Sequence, residues 1–161
     1  NKDIIRELMS LKPSERGEIE LTDAIVKAAQ NTRVDVVDLS KWVDVGRAYN
    51  LINSIEILAE NTGYGGFDRG RIAYVDSEAD VRGEIGQLVS ISKGVYVGEE
   101  STISKAVVLK HSSIGASCLV ENTVIGEKVK IAPYCKLIGG DEAALIIGDG
   151  SKLESNSHIR A

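Results

Sequence analysis

The amino-acid sequence predicts a mainly β protein, with a parallel β-helix of about four to five coils over residues 79–161 after a small α/β region. A core with only 4% aromatic residues and 16 Gly among 161 residues must be built from aliphatic layers. Such a repeat indicates a solenoid, in which each unit is buried only by its neighbours. The aliphatic residues recur at steps of six, with two steps of five and one insertion, at Ile85, Ile91, Val97, Ile103, Leu109, Ile114, Val120, Ile125, Ile131, Leu137, Ile147, Leu153 and Ile159.

A small residue four positions after the aliphatic gives each repeat its second interior position. Each face of a triangular coil would then direct one large and one small side chain inward, with Gly, Asn, Asp or Ser at the turns. Three faces make a coil of about 17 or 18 residues, and stacked coils pair as parallel strands about 4.8 Å apart. The predicted small positions are Val89, Val95, Ser101, Val107, Cys118, Val129 and Cys135.

The two cysteines, Cys118 and Cys135, lie one coil apart in this pattern. They should therefore stack in the interior of neighbouring coils. Reduced thiols that act as small apolar side chains are expected, while the spacing also permits a disulfide.

The first part of the chain has mixed helical and strand patterning. We predict a first helix with Ile4, Ile5, Leu8 and Met9 on one face, which ends at Lys12-Pro13-Ser14. A second helix is predicted over 23–30 with Thr22 as its N-cap, and a third over 47–61. Strands are predicted at 34–39 and through Trp42 and Val43, with Trp42 packed. Residues 1–61 thus form one region and 62–78 a connector. The connector's glycines are not followed by Lys-Ser/Thr, so they favour a turn over a phosphate loop.

Composition excludes several classes of function. The net charge of −5 and pI near 5.1, without a basic cluster, argue against nucleic-acid binding. No apolar run is long enough for a membrane span, and the cysteines do not form a zinc motif. A cytoplasmic location is expected. Because Asn1-Lys2-Asp3 is neither a start Met nor a signal peptide, we expect the chain to begin within a longer gene product.

Two motifs resemble a known enzyme family. Residues 13–23, Pro-Ser-Glu-Arg-Gly-Glu-Ile-Glu-Leu-Thr-Asp, resemble the PS-x-RGE-x-E-I/L-TD segment of sugar-1-phosphate nucleotidyltransferases, including the glucose-1-phosphate thymidylyl- and uridylyltransferases. Residues 42–47, Trp-Val-Asp-Val-Gly-Arg, resemble their W-x-D-x-G-T/R segment. A hexapeptide β-helix follows, as in many members, and the left hand of the coil is expected from the hexapeptide-repeat family. Residues 1–61 would then be a remnant of the nucleotidyltransferase domain.

The resemblance implies transfer of a nucleotidyl group from a nucleoside triphosphate to a sugar-1-phosphate, with Mg²⁺ as cofactor. Asp44 would be one of two metal-binding aspartates, and Glu18 and Asp23 would bind substrate. The alternatives are structural: Asp44 caps the turn at Gly46, and Glu18 and Asp23 are a loop anion and a helix-start charge. The sequence contains no GxGTRxxP nucleotide loop, so the chain alone is expected to be inactive.

Two other functions remain open. Hexapeptide β-helices host acyl-CoA transferases with a His base, and His111 is the candidate here. It would lie at a repeat corner corresponding to Asn122, and His158 would lie in a similar corner. The insertion at 139–145 is short for an acceptor-binding arm. The third possibility is a non-catalytic oligomerisation or regulatory module. In each case the β-helix is expected to form a homo-oligomer.

Overall fold

The computed structural model describes residues 2–39, 41–60, 67–68, 70–140 and 143–161. The chain divides into two compact units, Asn1–Ser40 and Lys41–Ala161. Among the described residues, no helix combines the length and the apolar character needed to cross a membrane.

The first unit is a pair of helices, α1 (Lys2–Ser10) and α2 (Leu21–Ala29). Ala24 and Ala28 of α2 are its buried small residues. Helix α2 begins earlier than predicted, because Glu20 is the residue that precedes it. Glu20 has extended dihedrals, and its carbonyl accepts the N–H of Asp23 at 3.2 Å at the start of the helix. The predicted N-cap, Thr22, therefore lies inside the first turn, and no side chain caps this helix.

Neither strand predicted before α3 is formed. Residues 33–39 are irregular, with Val36 and Val37 86% and 80% exposed. A strand is stable only when a neighbouring strand satisfies its backbone groups, and none of the described strands pairs with this segment. The segment through Trp42 and Val43 is also irregular, and Trp42 is 73% exposed, which corrects the expectation that it packs.

Helix α3 (Ala48–Glu60) confirms the third predicted helix. It belongs by contact to the second unit, because Ile52 and Ile55 pack on Val107 and Val124 of the β-helix. The sequence groups α3 with residues 1–61 by resemblance, whereas packing groups it with the coils that follow.

The rest of the second unit is a parallel β-helix, which confirms the predicted fold. All strand pairs are parallel except that of β1 with β2. The strands are β1 (Phe67–Asp68), β2 (Ala73–Val75), β3 (Asp80–Val81), β4 (Glu84–Ile85), β5 (Val89–Ile91), β6 (Tyr96–Val97), β7 (Thr102–Val108), β8 (Ser113–Ile114), β9 (Leu119–Ile125), β10 (Lys130–Ile131), β11 (Lys136–Ile138), β12 (Leu145–Ile147), β13 (Lys152–Leu153) and β14 (His158–Arg160).

The strands stack into three faces, each with five levels. Face A contains β3, β6, β8, β10 and β13 in that order. Face B contains β4, the first halves of β7 and β9, β11 and β14. Face C contains β2, β5, the second halves of β7 and β9, and β12, and α3 packs on it.

The interior confirms the six-residue pattern except at one corner. Val108 is fully buried in the core, whereas Leu109 is only half-buried and contacts the α3 cluster. Likewise Ala106 is the interior small residue, and Val107 faces α3. The reason is that β7 turns from face B to face C through one residue, Lys105, with φ of 44°. The five-residue step therefore falls at this corner, one repeat earlier than predicted.

Small polar residues inside the coils bond to the next coil. The Ser101 hydroxyl donates to the Gly115 carbonyl at 2.7 Å and accepts the N–H of Cys118 at 3.0 Å. At the same position one coil later, the Cys118 thiol donates to the Ala132 carbonyl at 3.3 Å. Cys118 and Cys135 are both buried and free in the interior of neighbouring coils, where the repeat pattern predicts them.

Candidate functional site

The Pro-Ser-Glu-Arg-Gly-Glu segment folds into a tight turn in the first unit. The N–H of Gly17 donates to the carbonyl of Ser14 at 2.8 Å, and the N–H of Ser14 donates to the carbonyl of Glu18 at 2.8 Å. Gly17 has φ of 78°, a left-handed conformation that favours glycine. The Ser14 hydroxyl donates to the Glu20 carboxylate at 3.3 Å, which fixes the turn to the start of α2.

The two predicted substrate-binding carboxylates flank this turn and α2. Glu18 follows Gly17, and Asp23 lies in the first turn of α2, where a negative charge favours the helix N-terminus. Both side chains are exposed. Their positions are therefore open to a ligand, and they also fit the structural roles that the sequence offered.

Lys27 joins the two helices of the first unit. Its ammonium lies 2.8 Å from a carboxylate oxygen of Glu7 and 2.6 Å from the Ser10 hydroxyl. The hydrogen bond from Lys27 lowers the pKa of Glu7. A groove of about 380 Å³ next to this contact is lined by Arg6, Glu7, Ala28, Asn31 and Thr32.

Asp44, the predicted metal ligand, lies in the second unit just before α3. Its Oδ1 accepts the N–H of Gly46 at 2.8 Å, as the turn-capping alternative predicts. The carboxylate is exposed and its Oδ2 has no bond to this turn, so a hard oxygen remains to bind a cation. The described residues contain no group of three or more His, Cys, Asp or Glu able to hold a metal. Asp44 therefore fits Mg²⁺ only as one ligand among several, and phosphate oxygens and other carboxylates would supply the rest of the coordination sphere.

His111 occupies a turn between faces C and A. It has φ of 60° and its side chain is exposed. The strand register aligns it with Gly94 and Lys128, not with Asn122, which turns the corner between faces B and C. A Cβ added to Gly94 would lie 2.5 Å from Nδ1 of His111, so the imidazole rests against the glycine backbone. The correspondence to Asn122 was wrong because the five-residue step was placed one repeat too late.

His158 was also predicted to lie in a corner, and this too is corrected. It begins strand β14 and pairs in register with Lys136 of β11. It is exposed on face B, in the outward column that starts at Glu84.

A second groove, of about 260 Å³, lies where α3 meets the corner between faces B and C. Tyr49 and Asn53 of α3 line it together with Lys105, Glu121 and Asn122. The sequence pattern does not reveal this groove, because Lys105 and Asn122 become neighbours only through coil stacking. Five-residue steps mark single-residue corners of this kind, but the first step was predicted one repeat too late and therefore did not identify the corner at Lys105.

The insertion at 139–145 leaves the coil at this same corner. The Asn122 side-chain amide donates to the Gly140 carbonyl, and the Gly140 N–H donates to the Ala143 carbonyl at 2.9 Å. Residues 141 and 142 lie outside the described residues. The described part of the insertion is thus bound to the coil below.

The fold and the two motifs define a class of protein: a left-handed hexapeptide β-helix preceded by segments of nucleotidyltransferase type. The family description that matches residues 71–161 is the GMPPB C-terminal domain. The chain belongs to this family.

Several curated relatives match across both units. A bifunctional sugar-1-phosphate nucleotidylyltransferase/acetyltransferase from Sulfurisphaera tokodaii is 30% identical over 94% of this chain and 40% of its own length. The bifunctional protein GlmU from Methanococcus aeolicus is 27% identical over 93% of the chain and 38% of its own length. A glucose-1-phosphate thymidylyltransferase from Streptomyces griseus is 24% identical over 94% and 39%. The chain therefore spans about two fifths of the length of these relatives.

Proposed function

We propose that this chain is the C-terminal part of a sugar-1-phosphate nucleotidyltransferase. In this reaction a phosphate oxygen of the sugar-1-phosphate attacks the α-phosphorus of a nucleoside triphosphate, the bond to the β-phosphate oxygen breaks, and pyrophosphate leaves. The observation that carries the proposal is that matches to enzymes of this name cover 94% of the chain. They therefore include both motifs, at residues 13–23 and 42–47, whereas a likeness of the β-helix alone would stop at the repeats.

Asp44 is the residue we assign to the metal. Mg²⁺, when bound, would neutralise phosphate charge in this reaction. The bond of Gly46 to Oδ1 fixes the direction of the carboxylate, and packing of α3 through Ile52 holds the segment that follows. Glu18 and Asp23 are assigned to substrate binding, because both present exposed carboxylates in a segment typical of these enzymes.

The test measures pyrophosphate release by the longer protein that contains this chain, with nucleoside triphosphates and sugar-1-phosphates as substrates. Asp44→Asn should lower kcat at least about 100-fold, since it removes a charged metal ligand. Asp35→Asn is the matched control, because Asp35 is also an exposed carboxylate in irregular backbone and forms a surface ion pair with Arg33 at 2.8 Å. Equal activity of the two variants would remove Asp44 from the site, and absence of pyrophosphate release would refute the reaction.

Acyl transfer is the second candidate, favoured by the name of the Sulfurisphaera tokodaii relative, which includes an acetyltransferase. His111, exposed on its corner, would be the general base. Binding of acetyl-CoA measured by calorimetry, followed by loss of acetyl transfer in His111→Asn but not in His158→Asn, would support it. Without acetyl-CoA binding this candidate fails, and the β-helix would act in assembly.

We also propose a cytoplasmic location and a homo-oligomer formed through the β-helix. Two buried free thiols support the first, because reducing compartments keep such thiols unpaired. The exposed, regular faces A and B support the second. Cell fractionation and sedimentation of the purified chain test these two proposals.

A further inference from the structure

Face A carries two columns of residues whose charges reverse from one end of the β-helix to the other. The outward residues of its five strands run from acidic to basic, and the residues that follow the strands run from basic to acidic. The first column is Asp80, Tyr96, Ser113, Lys130 and Lys152. The second column is Arg82, Gly98, Gly115, Ala132 and Glu154.

We infer that face A is a self-complementary surface that binds a second copy of this chain with the two β-helix axes antiparallel. If the twofold axis runs parallel to the strands at the central level, the five levels of the second copy come in reverse order. Each column then faces the same column of the second copy. Asp80 then meets Lys152 of the second copy, and Arg82 meets its Glu154. The inference rests on the proposed homo-oligomer and specifies the surface that forms it.

The centre of face A suits close approach of two copies. Its central level consists of Ser113 and Gly115, and Gly98 and Ala132 flank this level. Small side chains allow the two backbones to come near each other. Tyr96, which is 37% exposed, would lie opposite Lys130 of the second copy. Its ring already has the Arg82 guanidinium 5.5 Å from its centroid, so it is a surface that accepts cations.

The other two faces suit an antiparallel pair less well, although one column of face B, from Glu84 to Lys136 and His158, also runs from acidic to basic. Face C is covered by α3 through Ile52 and Ile55. On face B, the column that contains Ser104 and Ile138 has Glu121 at its central level. An antiparallel pair through face B would therefore place Glu121 opposite itself, and opposed like charges are destabilising.

A parallel pair through face A is less favourable than the antiparallel one. A twofold axis along the β-helix would keep the levels and exchange the columns. Asp80 would then meet Arg82, and Lys152 would meet Glu154. Lys130 would lie opposite Ala132, however, so only the antiparallel arrangement brings Tyr96 and Lys130 together.

The size of face A predicts weak and salt-sensitive association. Five levels spaced by about 4.8 Å give a height of about 24 Å, and about six residues per side give a width of roughly 20 Å. The area, roughly 480 Å² per copy, is below the about 800 Å² of a standard interface. Charge pairs at exposed positions are screened by salt. Dimers should therefore form at high protein concentration and dissociate as salt is added.

The experiment is sedimentation velocity on the full 161-residue chain, up to about 500 μM in about 20 mM and about 500 mM salt. We expect a dimer at low salt. Asp80→Lys and Lys152→Asp should each weaken it at least about tenfold, because each opposes like charges at two symmetric contacts. Glu84→Lys is the matched control: it makes the same charge change in the first level of face B and should leave the dimer intact.

The decisive variant is the double reversal Asp80→Lys/Lys152→Asp. In the antiparallel dimer the two reversed charges would face each other across the interface, so association should return to within about threefold of the original. In a parallel dimer the lysine introduced by Asp80→Lys would face Arg82 of the second copy, and association would stay lost. Circular dichroism verifies the fold of each variant. A monomer at every concentration, a dimer that ignores these changes, or a double variant that remains monomeric overturns the inference, and none of these results bears on pyrophosphate release.

Discussion

A methyl group added at Gly115 should destabilise the β-helix, because the coils approach each other there at backbone distance. A Cβ at this position would lie 2.5 Å from the backbone nitrogen of Pro133 and 2.8 Å from the carbonyl carbon of Ala132. Ordinary contacts begin at about 3.4 Å, so one coil must shift by almost an ångström. Gly115→Ala should therefore cost about 2–3 kcal/mol in the free energy of unfolding, at the upper end for an overpacked core.

The matched control is Gly148→Ala in the last coil. Gly148 also follows a buried interior aliphatic, Ile147, but nothing lies within 4 Å of its added Cβ. This substitution should be neutral or stabilise by up to about 1 kcal/mol, because alanine reduces the entropy of the unfolded chain.

Urea unfolding of the full chain, followed by far-ultraviolet circular dichroism, measures both variants. The midpoint for Gly115→Ala should fall by at least about 1 M relative to Gly148→Ala, for a slope of about 2 kcal/mol/M. Equal midpoints for the two variants would refute the explanation that close approach of the coils requires glycine.

Three more predictions concern single side chains. Ser101→Ala should cost about 1–3 kcal/mol in urea unfolding, because it leaves a buried carbonyl and a buried N–H of neighbouring coils without their partner. The control Ser77→Ala, at an exposed serine, should change stability by less than about 0.5 kcal/mol. Equal effects of the two substitutions would contradict the role of the Ser101 hydroxyl. Burial raises the pKa of the Cys118 thiol above its ordinary value of 9.0. The thiol of the unfolded state therefore loses its proton at lower pH than that of the folded state, and the free energy of unfolding should decline as the pH rises through 9.0. Cys118→Ala should flatten this decline when unfolding is measured as a function of pH. An unchanged slope would contradict the contribution of Cys118. Ile52→Ala should lower the free energy of unfolding by about 2–5 kcal/mol and increase amide hydrogen exchange in α3, because Ile52 is only 2% exposed against face C. The same substitution at Leu58, which is 45% exposed, should leave the exchange nearly unchanged. Slow exchange in both variants would contradict the docking of α3 on face C.

The repeat pattern predicted the β-helix because its period is set by burial. A large aliphatic residue every six positions determines which side chains enter the core, whatever the loops do. The same pattern could not locate the five-residue step, because Val108 and Leu109 are adjacent aliphatic residues and either fits the interior. Only the pairing of Lys105 with Asn122 at one corner decides between them.

The front of the chain was predicted less well, because its patterns depend on tertiary partners. The run Val34 to Leu39 has the composition of a strand, yet no described strand pairs with it, so Val36 and Val37 stay exposed. Helices α1 and α3 were predicted correctly, since helices satisfy their own backbone groups locally. For the candidate site, the motifs identified Asp44 and its turn, but the charge reversal of face A depends on the strand register.

The packing of α3 on face C affects how chimeric proteins should be built from this chain. Gene fusions are conveniently joined in connectors between domains, and the sequence predicts such a connector at residues 62–78. A junction there would separate Ile52 and Ile55 from Val107 and Val124, and would expose an apolar strip on both fragments. A junction before Lys41 keeps the Asp44 turn, α3 and the coils on one transferable module.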